Sequence, residues 1–220
     1  MTIRELVRPL PGVRSMSLLR QRIGYGDSAR FWEGNYARGR TSGTGSYGRL
    51  AEGKSRFLNE LVRERAVHSV IEFGCGDGNQ LSLAEYPGYI GLDVSRTAIG
   101  LCRRRFDGDP AKSFFLYDGA CFTDQAGIFT ADMAISLDVV YHLTEDLVFE
   151  TYLTHLFAAG LRLVVIYSTN EEISGTAPHV RHRHFTPWVE TNCPGWRLNA
   201  VTPGPGQERA RADFFVYERS

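Results

Sequence analysis

Residues 70–78 read Val70-Ile71-Glu72-Phe73-Gly74-Cys75-Gly76-Asp77-Gly78, and the apolar run from Tyr89 to Leu92 ends at Asp93. This stretch decides the fold. A short apolar run that ends in an acid and breaks into alternate glycines reads as a buried strand entering a ligand-binding turn. Glycine permits positive φ there and lets a ligand approach the backbone without a Cβ in the way. The second strand then delivers a carboxylate, which can accept hydrogen bonds from both vicinal hydroxyls of a ribose. The layout suits a ligand built on a nucleoside.

The spacing and the flanking charges narrow that ligand. A dinucleotide site shows G-x-G-x-x-G with a pyrophosphate on the helix N-terminus. Here the glycines alternate (Gly74, Gly76, Gly78) between Glu72 and Asp77. Two acids repel a pyrophosphate and suit a ligand carrying positive charge, such as a sulfonium with an ammonium group.

Outward from this stretch, strand and helix patterns alternate. Strands are expected at 68–73, 89–93, 113–117, 132–137, 161–168, 196–202 and 212–218, and helices at 79–85, 95–106, 143–158 and 186–192. An earlier helix is expected over Tyr47 to Arg65, where Leu50, Lys54, Phe57, Leu58, Leu61 and Val62 recur at helical spacing. Such alternation predicts a mostly parallel sheet of seven strands with helices on both faces. Only the turn-forming stretch starting Pro203-Gly204-Pro205-Gly206 separates the last two strands, which predicts a terminal antiparallel hairpin. Residues 1–27 read as an N-terminal arm interrupted by Pro9 and Pro11, with a short helix over 15–23. Residues 28–220 read as one α/β domain whose first part, 28–65, supplies a lid and a helix. The lid is Thr41 to Gly48, rich in glycine and hydroxyls and flanked by Trp32, Tyr36 and Tyr47.

Composition removes several classes. The 220 residues suit one domain, and 43% hydrophobic residues are enough to fill a core. Arginine plus lysine and aspartate plus glutamate each number 25, so the net charge is zero and a nucleic-acid partner is not expected. Cys75, Cys102, Cys121 and Cys193 show no C-x-x-C spacing, and reduced thiols in the cytoplasm are expected. No apolar run approaches the about 20 residues of a membrane helix. The histidines of 179–184 invite a metal reading, but no metal-ligand motif accompanies them, so no metal is expected.

The segments F-W-E-x-x-Y (31–36), S-G-x-G-S-Y-G-x-L-A-x-x-K (42–54), V-I-E-F-G-C-G-D-G-N-Q (70–80), Y-I-G-L-D-V-S (89–95), S-L-D-V-V-Y-H-L (136–143) and H-V-R-H-R-x-F-T-x-W (179–188) extend the signal over about residues 31–198. Together they resemble a bacterial, small-molecule or glycan-type group of class I, Rossmann-like S-adenosylmethionine methyltransferases. Gly53 departs from that pattern, standing where the resembled proteins carry a bulkier residue. The resemblance implies a Rossmann-like methyltransferase fold and S-adenosylmethionine as cofactor, with S-adenosylhomocysteine as product. It implies cofactor contacts from Glu72, Gly74, Cys75, Gly76, Gly78, Asp93 and Val94. Asp118, after the third strand, is expected at the adenine amine, and Leu137 and Tyr47 complete the cofactor set.

The end of the fourth strand would lie beside the acceptor. His142 and Asp138 are the first candidates for a general base there, with His182 the second. Tyr141, Tyr36, Arg181 and Arg183 are the candidate acceptor contacts, the arginines suiting an anionic group. The expected reaction is methyl transfer to an oxygen of a small molecule or glycan. The alternatives are an RNA or tRNA methyltransferase and a non-catalytic S-adenosylmethionine-binding protein. A monomer or homodimer is expected.

Overall fold

The structure is a computed structural model that describes residues 27–173, 177–205 and 212–220. The arm expected over 1–27 and its short helix lie outside the described residues, apart from the backbone of Asp27. In chain order the elements are α1 (Asp27–Ala37), α2 (Gly48–Glu64), β1 (Val70–Phe73), β2 (Tyr89–Asp93), α3 (Arg96–Arg105), β3 (Lys112–Leu116), β4 (Ala131–Leu137), α4 (Asp146–Ala159), β5 (Gly160–Ser168), α5 (Thr186–Asn192), β6 (Trp196–Pro203) and β7 (Asp213–Arg219). Short 3-10 turns stand at Thr44–Ser46, Leu81–Leu83 and Val140–His142.

The strands form one sheet in the order β3-β2-β1-β4-β5-β7-β6. The first five run parallel, and β7 enters antiparallel between β5 and β6. β1 is buried along its whole length, as an apolar central strand covered on both faces must be. Its register sets Glu72 opposite Gly91 of β2 and Ile135 of β4. Two apolar clusters fill the interior. One includes Leu153, Leu156 and Phe157 of α4, and the other Leu58 and Val62 of α2.

Two local departures have physical causes. Helix is expected over 79–85, but only the 3-10 turn at Leu81–Leu83 forms. Pro87 follows at once and disfavours helical backbone at Tyr86, while Asn79 turns its side chain to the Ser46 carbonyl at 2.8 Å. Gly53, by contrast, sits inside an unbroken α2. A Cβ built there would lie 2.4 Å from Cβ of Pro205, so the missing side chain makes room for the β6–β7 connection.

Strand order reverses between β1 and β4, which flank one another while their onward connections run to opposite sides. Ligands of open α/β sheets bind outside the carboxyl ends of the strands at such a switch point. The loops after β1, β2, β3 and β4 all meet there.

Candidate active site

A cavity of about 610 Å³ opens at that edge, within the size range of small-molecule sites. Its floor is Gly74, Cys75 and Gly76 of the glycine loop; Gly78, expected at the cofactor, does not line the cavity and faces Phe106 and Cys102 instead. Gly74, Gly76 and Gly78 have φ of 84, 58 and 75°, a region that side chains other than glycine's rarely adopt. Space matters as much as torsion at Gly76, where a Cβ would lie 2.4 Å from Ser42 Oγ. The glycine therefore admits Ser42 against the loop as well as any ligand.

Two buried acids mark the strand ends. Asp93 is 6% exposed; its Oδ2 accepts from Gly76 N at 2.8 Å and its Oδ1 from Ser95 N at 2.8 Å. Each oxygen keeps a further acceptor site, and burial raises its carboxyl to about 6. Glu72 is 3% exposed and accepts from the Tyr89 hydroxyl at 2.5 Å. Burial pushes its carboxyl up to about 7, the Tyr89 hydrogen bond and the Lys54 charge opposing that shift. Both acids line the cavity, with Cys75, Val94, Leu137 and Asp118. Asp118 is exposed, and its Oδ1 accepts from Ala120 N at 3.0 Å.

The segment 41–47 lies on the glycine loop, held by one carboxylate. Asp77 Oδ2 accepts from Ser42 N and from the Tyr47 hydroxyl, both at 2.9 Å, and Asp77 N donates to Ser42 Oγ at 3.1 Å. The Tyr36 hydroxyl bonds the same Ser42 Oγ at 2.9 Å. Tyr47 thus ties segment 41–47 to Asp77 and does not line the cavity, whereas Tyr36 does. α1 roofs the cavity with Trp32 and Tyr36, one turn apart on one face. It is docked by Glu33, which accepts from Ser95 Oγ at 2.6 Å and Thr97 Oγ1 at 2.7 Å at the start of α3. Trp32 and Glu33 were not among the candidate site residues, although both stand in the F-W-E-x-x-Y segment.

The three candidate bases separate on geometry. Asp138 lines the cavity but is clamped. Its Oδ2 pairs with the fully buried Lys54 Nζ, and its Oδ1 accepts from the Tyr141 hydroxyl at 2.7 Å. It also carries a φ of 59°, uncommon outside glycine. His142 lines the cavity and places Nδ1 3.0 Å from the His179 carbonyl. A carbonyl only accepts, so Nδ1 carries the proton and Nε2 keeps the lone pair. Burial lowers the pKa of this imidazole below the usual 6.5, leaving it neutral at pH 7. His182 is buried behind Tyr141, bonded to Thr169 Oγ1 at 2.6 Å, and is not among the cavity-lining residues.

The arginines expected to meet the acceptor are spent within the chain. Arg181 and Arg183 both reach Asp146 Oδ1, at 2.9 and 2.6 Å, and both bond the Thr144 carbonyl. Neither lines the cavity, and Tyr141 lies beneath it on Asp138. The aromatic edge comes instead from Trp32, whose ring meets His142 at 4.9 Å, with His179 stacked between His142 and Phe31. Among the described residues no group of three or more His, Cys, Asp or Glu is placed to hold a metal ion, and no helix is long and apolar enough to cross a membrane.

Solved structures share this architecture. The methyltransferase domain of a bacterial Hen1 protein superposes with a TM-score of 0.62, covering 77% of this chain and 98% of that one at 20% identity. An amino pentose methyltransferase from Micromonospora echinaspora, solved with S-adenosylmethionine bound, gives 0.61, covering 79% and 93% at 14% identity. The fold is that of the class I methyltransferases. At the sequence level, a small RNA 2′-O-methyltransferase from Arabidopsis thaliana is 25% identical over 136 residues, 57% of this chain. The match spans only 14% of that protein's length. No protein-family model matches the chain.

Proposed function

We propose that this chain transfers a methyl group from S-adenosylmethionine to an oxygen of a small molecule or glycan. The methyltransferase fold and the charge of the cavity support the cofactor. Glu72 and Asp93 are acids that burial penalises when ionised, and a positively charged ligand relieves that cost. Asp93 would take the ribose hydroxyls, Asp118 the adenine amine and Val94 an adenine face. When bound, S-adenosylmethionine supplies an electrophilic methyl on a positively charged sulfur.

The observation that carries the oxygen acceptor is His142. An imidazole held neutral, with Nδ1 fixed on a carbonyl and Nε2 left as the acceptor, is suited to take the proton of a hydroxyl. Trp32 and Tyr36 roof the cavity and exclude water, and the rest of the task is alignment. Asp138 acts here as a positioning residue through Tyr141 and Lys54, not as the base.

A second reading is methylation of a ribose hydroxyl in RNA, favoured by the likeness to the Arabidopsis enzyme. Calorimetric titration with S-adenosylmethionine and with NAD is the first test; binding of NAD alone defeats both readings. Product release is then measured with hydroxylated small molecules, glycosides and RNA oligonucleotides. Turnover with small molecules or glycosides that is insensitive to salt supports the first reading. Turnover confined to RNA, falling steeply with salt, selects the second.

A further inference from the structure

Four buried side-chain polar atoms lack a partner among the described residues: Gln80 Oε1, Ser168 Oγ, Arg183 Nε and Tyr217 Oη. Of the residues that carry them, only Gln80 lines the cavity. Gln80 is 7% exposed and follows the glycine loop by two positions. Its amide orientation is fixed. The group that faces the Ala51 carbonyl at 3.0 Å must be the donor, so it is Nε2, which also reaches Ser55 Oγ at 2.6 Å. Oε1 is therefore the branch left over, an acceptor without a donor. Native proteins seldom leave a buried amide oxygen so, and an orphan of this kind beside a cavity asks for a donor from the ligand.

We propose that Gln80 Oε1 accepts a hydrogen bond from the ammonium group at the amino-acid end of the bound cofactor. The inference rests on the S-adenosylmethionine reading and deepens it. The cofactor offers three kinds of donor: the ribose hydroxyls, the adenine amine and the ammonium. Asp93 and Asp118 are matched to the first two, and the ammonium remains. The neighbourhood agrees. Glu72 and Gln80 both line the cavity, Glu72 feels the Lys54 charge, and Ser55, the next residue, bonds Gln80. An acid and an amide oxygen together suit a cation that carries N–H donors. Helix α2 thereby takes part in recognition at one remove, by aiming the amide through Ala51 and Ser55.

The experiment compares two thioether ligands on the full chain. S-adenosylhomocysteine carries the ammonium; 5′-methylthioadenosine lacks the whole amino-acid end. Calorimetry on Gln80→Leu is expected to show S-adenosylhomocysteine weakened about ten- to a hundredfold, with 5′-methylthioadenosine unchanged within about twofold. The unchanged ligand also reports that the variant is folded. A parallel loss of both ligands in Gln80→Leu overturns the proposal, because Gln80 then only ties the loop to α2. No loss of either overturns it as well. Failure of the wild-type protein to bind S-adenosylhomocysteine brings down the cofactor reading itself, a result distinct from the others.

Discussion

Glu72 shows how a single buried acid ties stability to ligand binding. Its carboxyl sits at about 7 in the folded protein against 4.5 for the free side chain, chiefly through burial. Between these values the folded form holds a proton that the unfolded form has released. This group's contribution to stability is therefore fully present below pH 4.5 and is lost as pH rises through 7. Glu72→Gln is expected to raise the stability of the ligand-free protein by about 1–3 kcal/mol at pH 8, read from denaturant unfolding, while weakening cofactor binding. A cation bound nearby favours the ionised acid, so affinity for S-adenosylmethionine should rise between pH 6 and 8 with release of protons. Titrations in buffers of different ionisation enthalpy measure that release, and proton uptake would contradict it. His142 runs the other way, its pKa lowered from 6.5 by burial. As the proposed base it would work unprotonated, so the rate should fall with an acid limb below pH 6.5. His142→Ala should lose about 10²–10⁴ in kcat, keep cofactor affinity and lose that limb. In stability the sign agrees: the unfolded chain binds this proton more readily, so this contribution disappears as pH falls through the folded pKa.

At the scale of elements, the placement of segment 41–47 depends on Asp77, which accepts from Ser42 N, Tyr47 Oη and Asn79 N. Asp77→Ala removes these together. It should weaken cofactor binding about tenfold and speed amide exchange across 41–47, with α4 and β5 unaffected. Unchanged exchange at Ser42 would show that the segment is held by other contacts. The strands were legible because apolar runs bounded by turn residues leave little choice of position, and all seven lie within two residues of their expected ends. Ser95 reads as a helix cap from its place before Thr97 and Ala98, and it accepts from Ala98 N at 3.0 Å. The segment 179–184 was less legible. Alternating arginine and histidine look the same whether they face a ligand or the chain's own carboxylate, and the partner that decides, Asp146, lies 35 residues from Arg181. Lys54 left a clearer trace. It stands on the apolar stripe of α2, where a charge is tolerated only if an anion is buried with it. The sequence shows that need without naming Asp138, which lies 84 residues away.

For the molecule as a whole, the Lys54–Asp138 pair joins α2 to the carboxyl end of β4 at the centre of the sheet. Lys54→Met leaves a mostly buried carboxylate without its cation and should cost roughly 3 kcal/mol of unfolding free energy. Lys54→Met combined with Asp138→Asn should recover most of that loss, with Tyr141 keeping a hydrogen-bond acceptor; a double-variant loss equal to the sum of the Lys54→Met and Asp138→Asn losses would show that the pair does not couple. The place of β7 carries a consequence of another kind. It follows β6 in sequence and is the last strand among the described residues, yet it lies between β5 and β6, bonded to both. As the chain leaves the ribosome, β6 has nothing to pair with until residues 213–219 have emerged. Until then the nascent polypeptide exposes the edge of β5, an open template for other chains, and its dependence on chaperones should be greatest in that interval.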